Sequence, residues 1–191
     1  MNYQDYIWDL GGTLLDNYET STAAFVHTLQ DFGLHASHDE VYKALKVSTD
    51  YAVRQFAPTN KDFLKTYKAN EAKELEQPIL FDGASELLAQ IIQQGGRNFL
   101  ISHRDDQVLE ILQKTQISVY FTEVVTATNG FKRKPDPESM LYLKDKYQIE
   151  SGLVIGDRPI DIEAGQATGF SCYLFDNMKN LEEFVDIELE K

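Results

Sequence analysis

The stretch Tyr6-Ile7-Trp8-Asp9-Leu10-Gly11-Gly12-Thr13-Leu14-Leu15-Asp16 decides how the rest of the chain is read. Tyr6 to Leu10 is a short apolar, aromatic and β-branched run that stops at two glycines, the pattern of a buried strand entering a tight turn. Asp9 interrupts that run at its tip. A carboxylate there, followed by glycines, is exposed and close to backbone N–H groups, so it can act as a nucleophile.

Working outward, the character of the chain changes twice. From about Glu19 to Glu76 the apolar spacing is helical. Phe25, Val26, Leu29 and Phe32 share a face that Gly33 ends. Val41, Tyr42 and Leu45 form a second stripe, and Ala52, Val53 and Phe56 a third, ended by Pro58. Asn60 is placed to cap a fourth helix with the face Phe63, Leu64, Tyr67 and Leu75. After Pro78 strands and helices alternate. Phe99–Ile101, Val124–Val125, Leu153–Ile155 and Cys172–Phe175 read as strands, separated by helical faces at Ala84–Ile92, Val108–Leu112, a helix opened by Asp136-Pro137, and Ile160–Thr168. Such alternation implies an α/β, Rossmann-like parallel sheet with helices on both faces. The helical stretch is then an insertion after the first strand, and the expected organisation is a discontinuous core, 1–15 and 80–191, around an all-helical cap, 16–79.

Composition limits the function. The chain has 191 residues, 42% of them hydrophobic, enough for one core with a modest insertion. The net charge of −13 disfavours nucleic acid as a partner. Apolar runs fall short of a membrane span, the polar start Met1 to Asp5 does not read as a signal peptide, and Cys172 is the single cysteine. The expectation is a cytoplasmic protein, monomer or weak homodimer, with Cys172 a buried small hydrophobe rather than a reactive thiol. A phosphate-bearing ligand would need a local cation to override so acidic a field.

In open α/β sheets ligands bind beyond the carboxyl ends of the strands, and polar residues cluster at those ends here. They are Asp9 with Gly11, Gly12 and Thr13; Ser102-His103; Lys134-Pro135; and Gly156-Asp157 followed by Asp161. Two aspartates from separate strands can share a hard cation, and a hydroxyl and an ammonium can hold phosphate oxygens.

This set, Asp9-x-Gly11-Gly12-Thr13, Ser102, Lys134-Pro135 and Gly156-Asp157-x-x-x-Asp161, resembles the four signature motifs of the haloacid dehalogenase superfamily. The helical insertion resembles the cap of its phosphoglycolate-phosphatase-like and β-phosphoglucomutase-like members. The resemblance implies a magnesium-dependent phosphatase of small phosphorylated metabolites that works through an aspartyl-phosphate. It implies Asp9 as nucleophile and metal ligand, with Asp157 and the Gly11 carbonyl as further metal ligands. Ser102 and Lys134 would bind and stabilise the phosphoryl group, with Gly12, Thr13 and His103 around it. Asp161 would support Lys134 or the metal shell.

One position departs from that pattern. The family's phosphatases carry an aspartate two residues after the nucleophile, where this chain has Gly11. General acid–base catalysis typically contributes about 10²–10⁴ in rate, so the departure implies slow turnover, least so for acyl or aryl phosphates. His103, a cap residue such as His27, His35 or His38, or Asp16 could stand in for the missing acid. Two other outcomes stay open. One is phosphonate hydrolysis through an imine on a cap lysine, Lys43, Lys46, Lys61, Lys65 or Lys68. The other is a catalytically silent metal- and phosphate-binding regulator. The pair Asp157 and Asp161 argues against metal-free dehalogenation.

Overall fold

The structure is a computed structural model of the chain that describes residues 3–74 and 76–189. Leu75, expected on the fourth helical face, and the terminal Met1, Asn2, Glu190 and Lys191 lie outside the described residues. The chain forms two compact units, Met1–Leu15 with Leu80–Lys191, and Asp16–Ile79.

The first unit carries a five-stranded sheet in the order β3-β2-β1-β4-β5. Its strands are β1 (Asp5–Trp8), β2 (Arg97–Ile101), β3 (Phe121–Val125), β4 (Gly152–Gly156) and β5 (Ser171–Leu174). Every neighbouring pair is parallel, with Ile7 opposite both Phe99 and Val154. Side chains of a strand alternate between faces, and β1 shows the consequence. Tyr6 and Trp8 join one core cluster, with Leu87, Leu88 and Ile91 of α5 (Ala84–Gln93), Val108 and Leu112 of α6 (Gln107–Lys114), and Leu181 and Val185 of α9 (Met178–Leu189). Ile7 joins the other, with Met140 and Leu143 of α7 (Glu138–Tyr147) and Ala164 of α8 (Pro159–Thr168). Helices therefore cover both faces, which is why β1 is buried along its whole length. A polar intrusion into this core is satisfied. Trp8 Nε1 donates to Asn98 Oδ1 at 2.9 Å, and Asn98 Nδ2 donates to the Leu88 carbonyl at 3.1 Å.

The second unit is all-helical: α1 (Asn17–Asp31), α2 (His38–Val47), α3 (Thr49–Phe56) and α4 (Phe63–Glu74). Its core is Phe25, Leu29, Val41, Leu45, Ala52, Phe63 and Tyr67, with the Phe63 and Tyr67 rings 4.9 and 5.0 Å from that of Phe25. Gly33 sits at φ +69° just past α1, a conformation that favours glycine.

Three local expectations shift. Asn60 does not start α4; its carbonyl accepts from the Phe63 amide in a turn, and Leu64 is exposed. Helix α7 begins at Glu138, one residue after Pro137, while Asp136 Oδ1 accepts from the Glu138 amide at 3.1 Å. The C-terminal helix α9 was not anticipated, although Leu181, Phe184 and Val185 carry the helical spacing. Cys172 is half-buried, and burial raises its thiol pKa, as expected of an unreactive cysteine. No helix among the described residues is long and apolar enough to cross a membrane.

Candidate active site

The sheet places its polar tips together because β1, β2 and β4 are adjacent and parallel. Asp9 follows β1 and stays tied to the sheet by its amide, which donates to the Ile155 carbonyl at 2.9 Å. Ser102 is held likewise, its amide donating to the Val125 carbonyl at 2.9 Å. Asp157 follows β4, and Asp161 lies in the first turn of α8. Lys134 comes from the loop between β3 and α7.

The side chains converge. Lys134 Nζ lies 2.5 Å from Asp9 Oδ1 and 2.5 Å from Asp161 Oδ1, and donates to the Ile101 carbonyl at 3.3 Å. Its side chain is 3% exposed and that of Asp161 2%. Burying a lone ammonium or carboxylate is costly, so their pairing is a condition of their burial. Asp161 Oδ2 also accepts from the Arg158 amide at 3.2 Å, closing the N-terminus of α8.

Asp9, Asp157 and Asp161 each offer a carboxylate oxygen within 4.8 Å of the others. Burial pushes the Asp157 carboxyl up to about 6, with Asp9 and Asp161 adding to the rise. Asp9 is also raised, by burial first, with Lys134 acting against it. Asp157 Oδ1 is buried without a hydrogen-bond partner among the described residues. Three ionised carboxylates against one ammonium leave two negative charges. An orphaned carboxylate oxygen beside such a surplus suits a hard divalent cation, which takes oxygen ligands.

The turn after Asp9 is shaped by glycine. Gly12 adopts φ +85°, and a β-carbon there would collide with the Asp157 carboxylate. Its amide donates to the Leu15 carbonyl at 2.9 Å, so that N–H is already used by the turn. Gly11 is not among the positive-φ glycines. Thr13 is fully buried, its hydroxyl without a hydrogen-bond partner among the described residues.

His103 has a different position from that of an acid. Its Nε2 accepts from the Lys134 amide at 2.8 Å, and burial, followed by Lys134 and Arg133, lowers its pKa to about 4. It is a neutral acceptor that braces the Lys134 loop. No sequence pattern announces this contact or that of the Ile101 carbonyl, because both involve main-chain atoms distant in the chain. The exposed Arg158, between Asp157 and Asp161 in sequence, was also not singled out, yet its charge acts weakly against the rise at both Asp9 and Asp157.

The other candidates lie in the helical unit. Asp16 Oδ1 accepts from the Glu19 amide at 3.0 Å and so caps α1. His38 pairs with Glu19 at 2.8 Å, while His27 and His35 are exposed. Lys43, Lys46, Lys61, Lys65 and Lys68 are all exposed, and Lys46 rests 5.1 Å over the Tyr42 ring. None has the apolar burial that makes a lysine amine nucleophilic.

Comparison with known proteins accords with this geometry. The model of the haloacid dehalogenase-like hydrolase family matches residues 6–175. A crystal structure of a hydrolase from Streptococcus pneumoniae TIGR4 is 68% identical, with TM-score 0.94, over 97% of this chain and 100% of that one. A phosphoglycolate phosphatase of Aliivibrio fischeri is 29% identical over 88% of this chain and 81% of its own. The pyrophosphatase PpaX of Oceanobacillus iheyensis is 26% identical over 87% and 80%. With its parallel sheet, its strand-tip acids and a family match over nearly its whole length, the chain belongs to the haloacid dehalogenase-like hydrolases and is an enzyme of their phosphatase type.

Proposed function

We propose that this enzyme hydrolyses small phosphorylated metabolites through an aspartyl-phosphate on Asp9, with magnesium held by Asp9, Asp157 and the Gly11 carbonyl. The observation that carries the reading is the juxtaposition of Asp9 and Asp157 across β1 and β4, with Lys134 pinned between Asp9 and Asp161. When bound, magnesium supplies positive charge that offsets the carboxylates and the phosphoryl oxygens.

The chain's own residues do the rest. Lys134 fixes the Asp9 carboxylate in one orientation and adds positive charge for the phosphoryl oxygens. The Ser102 hydroxyl accepts from the Arg104 amide at 3.3 Å, which leaves its own O–H to donate to a phosphoryl oxygen. An Asp9 oxygen then attacks phosphorus. The bond from phosphorus to the leaving oxygen breaks, and that oxygen leaves with the electron pair. The leaving oxygen takes its proton from solvent; water subsequently attacks phosphorus, the bond from phosphorus to the Asp9 oxygen breaks, and phosphate and the free carboxylate result, with the water's proton passing to solvent. Gly11 supplies no proton to the first step and takes none in the second. His103 is a poor replacement, because its Nε2 accepts from the Lys134 amide and its pKa is lowered to about 4, so at neutral pH it carries no extra proton to give. Residues 16–79 are proposed to act as the cap that selects the substrate.

The test is hydrolysis of an aryl phosphate with and without magnesium. Turnover that needs magnesium and disappears in Asp9→Asn is expected. Turnover retained in Asp9→Asn, or metal-dependent phosphate binding without any turnover, would refute the catalytic assignment.

A further inference from the structure

The loop after β2 carries Ser102 and His103, yet it belongs to no helix or strand until α6 begins at Gln107. What holds it is the exit of β3. The ladder between the two strands ends with Ile101 opposite Val125. Beyond that point Val125, Thr126 and Ala127 each take one grip on the loop. The Val125 carbonyl accepts from the Ser102 amide at 2.9 Å, the Ala127 amide donates to the Arg104 carbonyl at 2.8 Å, and the Thr126 hydroxyl donates to Asp106 Oδ1 at 2.8 Å. The first two are main-chain bonds, indifferent to the side chains. The third depends on Thr126 and Asp106 themselves.

Both partners are committed to this bond. Thr126 is 5% exposed, and its oxygen accepts from the Thr128 amide at 3.3 Å while its proton goes to Asp106. Asn129 Oδ1, which accepts from the Thr126 amide at 2.8 Å, lies farther from the hydroxyl at 3.5 Å. A hydroxyl has one proton to give, and a carboxylate acceptor makes the stronger, charge-assisted kind of bond. Asp106 immediately precedes α6, where an aspartate ordinarily accepts from the amides of the first helical turn. Its side chain makes no such bond. Asp105 Oδ1 instead accepts from the Gln107 amide at 3.0 Å, and Asp106 is turned toward β3.

Within the loop so pinned, the Arg104 amide donates to Ser102 Oγ at 3.3 Å, a bond that limits where the Ser102 proton can point. We infer that Thr126 is a positioning residue of the active site, which through Asp106 holds the loop so that the Ser102 hydroxyl faces the phosphoryl group. The inference rests on the proposed role of Ser102, and it gives Thr126 no contact with substrate, metal or Asp9. Thr126→Val removes the donor to Asp106 and the acceptor for Thr128 together, whereas Thr126→Ser keeps both. Asp106→Ala removes the carboxylate and leaves the Thr126–Thr128 turn intact. Asp106→Asn keeps an oxygen that accepts the Thr126 proton.

The experiment is a double-mutant cycle between Thr126 and Ser102, read as kcat and KM for magnesium-dependent hydrolysis of an aryl phosphate by the full chain. Thr126→Val and Asp106→Ala should each lower kcat/KM by about ten- to one-hundredfold, the scale of a displacement of about 1 Å. Thr126→Ser and Asp106→Asn should stay near the native value. In a Ser102→Ala background Thr126→Val should have no further effect, because no hydroxyl is left to aim. A merely structural Thr126 would instead lower activity by the same factor in both backgrounds. Should Thr126→Val fail to fold, Asp106→Ala runs the same cycle. Amide exchange of the metal-free chain, followed by NMR, gives a readout independent of turnover. The Arg104 amide should exchange up to about tenfold faster in Thr126→Val than in the native chain or Thr126→Ser. A native chain without turnover would refute the catalytic reading, while the exchange result still decides the hold of Thr126 on the loop. Equal losses with and without the Ser102 hydroxyl, or an Arg104 amide equally protected in folded Thr126→Val, would overturn the inference.

Discussion

Two neighbouring glycines behave as opposites at the level of single residues. Gly12 is locked into a left-handed conformation with its α-carbon against the Asp157 carboxylate. Gly12→Ala should therefore cost at least about 1–2 kcal/mol from backbone strain alone, more with the collision, and it should displace Asp157. Urea unfolding and the magnesium dependence of turnover measure the two effects; a Gly12→Ala protein of native stability would contradict this account. Gly11 lacks that conformation, so backbone strain does not oppose a side chain there. Gly11→Asp should raise turnover on alkyl phosphates toward the 10²–10⁴ range typical of general acid–base catalysis. Aryl phosphates, whose leaving groups need no proton, should gain far less. Equal gains on both substrates, or none in a folded variant, would remove the explanation for the departure at Gly11. Much of this was legible in the chain itself. Asp9, Ser102, Lys134, Asp157 and Asp161 were picked out as strand-tip residues, and the fold brings the four charged ones together. The use of the Gly12 amide by the Leu15 carbonyl was not legible, because it depends on the turn's actual path.

The loop between β3 and α7, seen as an element, positions Lys134 through a histidine from β2's end rather than through its own sequence. His103 accepts from the Lys134 amide only while it is neutral. Its pKa is about 4 in the folded chain against the ordinary 6.5, so the folded state binds the proton less readily than the unfolded one. This contribution to stability is fully present above pH 6.5 and is lost as pH falls toward 4. In His103→Leu, thermal unfolding followed from pH 7 to pH 4 should lose that component of its pH dependence, and turnover should fall because Lys134 is less well held. If His103 were instead the missing general acid, its substitution would abolish the corresponding limb of the pH–rate profile on alkyl phosphates and spare aryl ones. The elements themselves were legible wherever periodicity was clear: β1 from its apolar run, α1 from Phe25 and Leu29, α8 from the residues after Asp157. Helix boundaries at Asn60 and Asp136 moved because capping and proline signals locate a terminus only to within a residue or two. The exposure of Leu64, Leu109 and Ile92 shows where a stripe's edge meets solvent, which spacing alone does not fix.

For the whole molecule, an acidic chain concentrates three carboxylates at the carboxyl ends of β1 and β4 and the start of α8, with the Lys134 ammonium set among them. Asp157 is raised to about 6 from 3.8, so without metal its contribution to stability is present below pH 3.8 and lost as pH rises through about 6. A bound cation favours the ionised form and reverses that loss. Magnesium should therefore raise the melting temperature most above pH 6, and its apparent affinity should fall by up to about tenfold per pH unit below 6 as a proton competes for Asp157. Titration calorimetry in buffers of different ionisation enthalpy would detect the released proton; affinity flat from pH 7 to pH 5 would contradict the assignment of Asp157. Along the chain, the helical unit Asp16–Ile79 is inserted between β1 and the later strands. That insertion was readable from the change of period, whereas a substrate was not, since helical surfaces carry no positional code for a small ligand.

The most direct test of the central claim is to trap the covalent intermediate. The chain is incubated with an acyl phosphate and magnesium, quenched in acid, digested and analysed by mass spectrometry. The account predicts a hydroxylamine-labile phosphoryl group on Asp9, accumulating because Gly11 does not activate the water that removes it, and diminishing in Gly11→Asp. Magnesium-dependent turnover with no adduct on Asp9, or with the phosphoryl group on another residue, would contradict it.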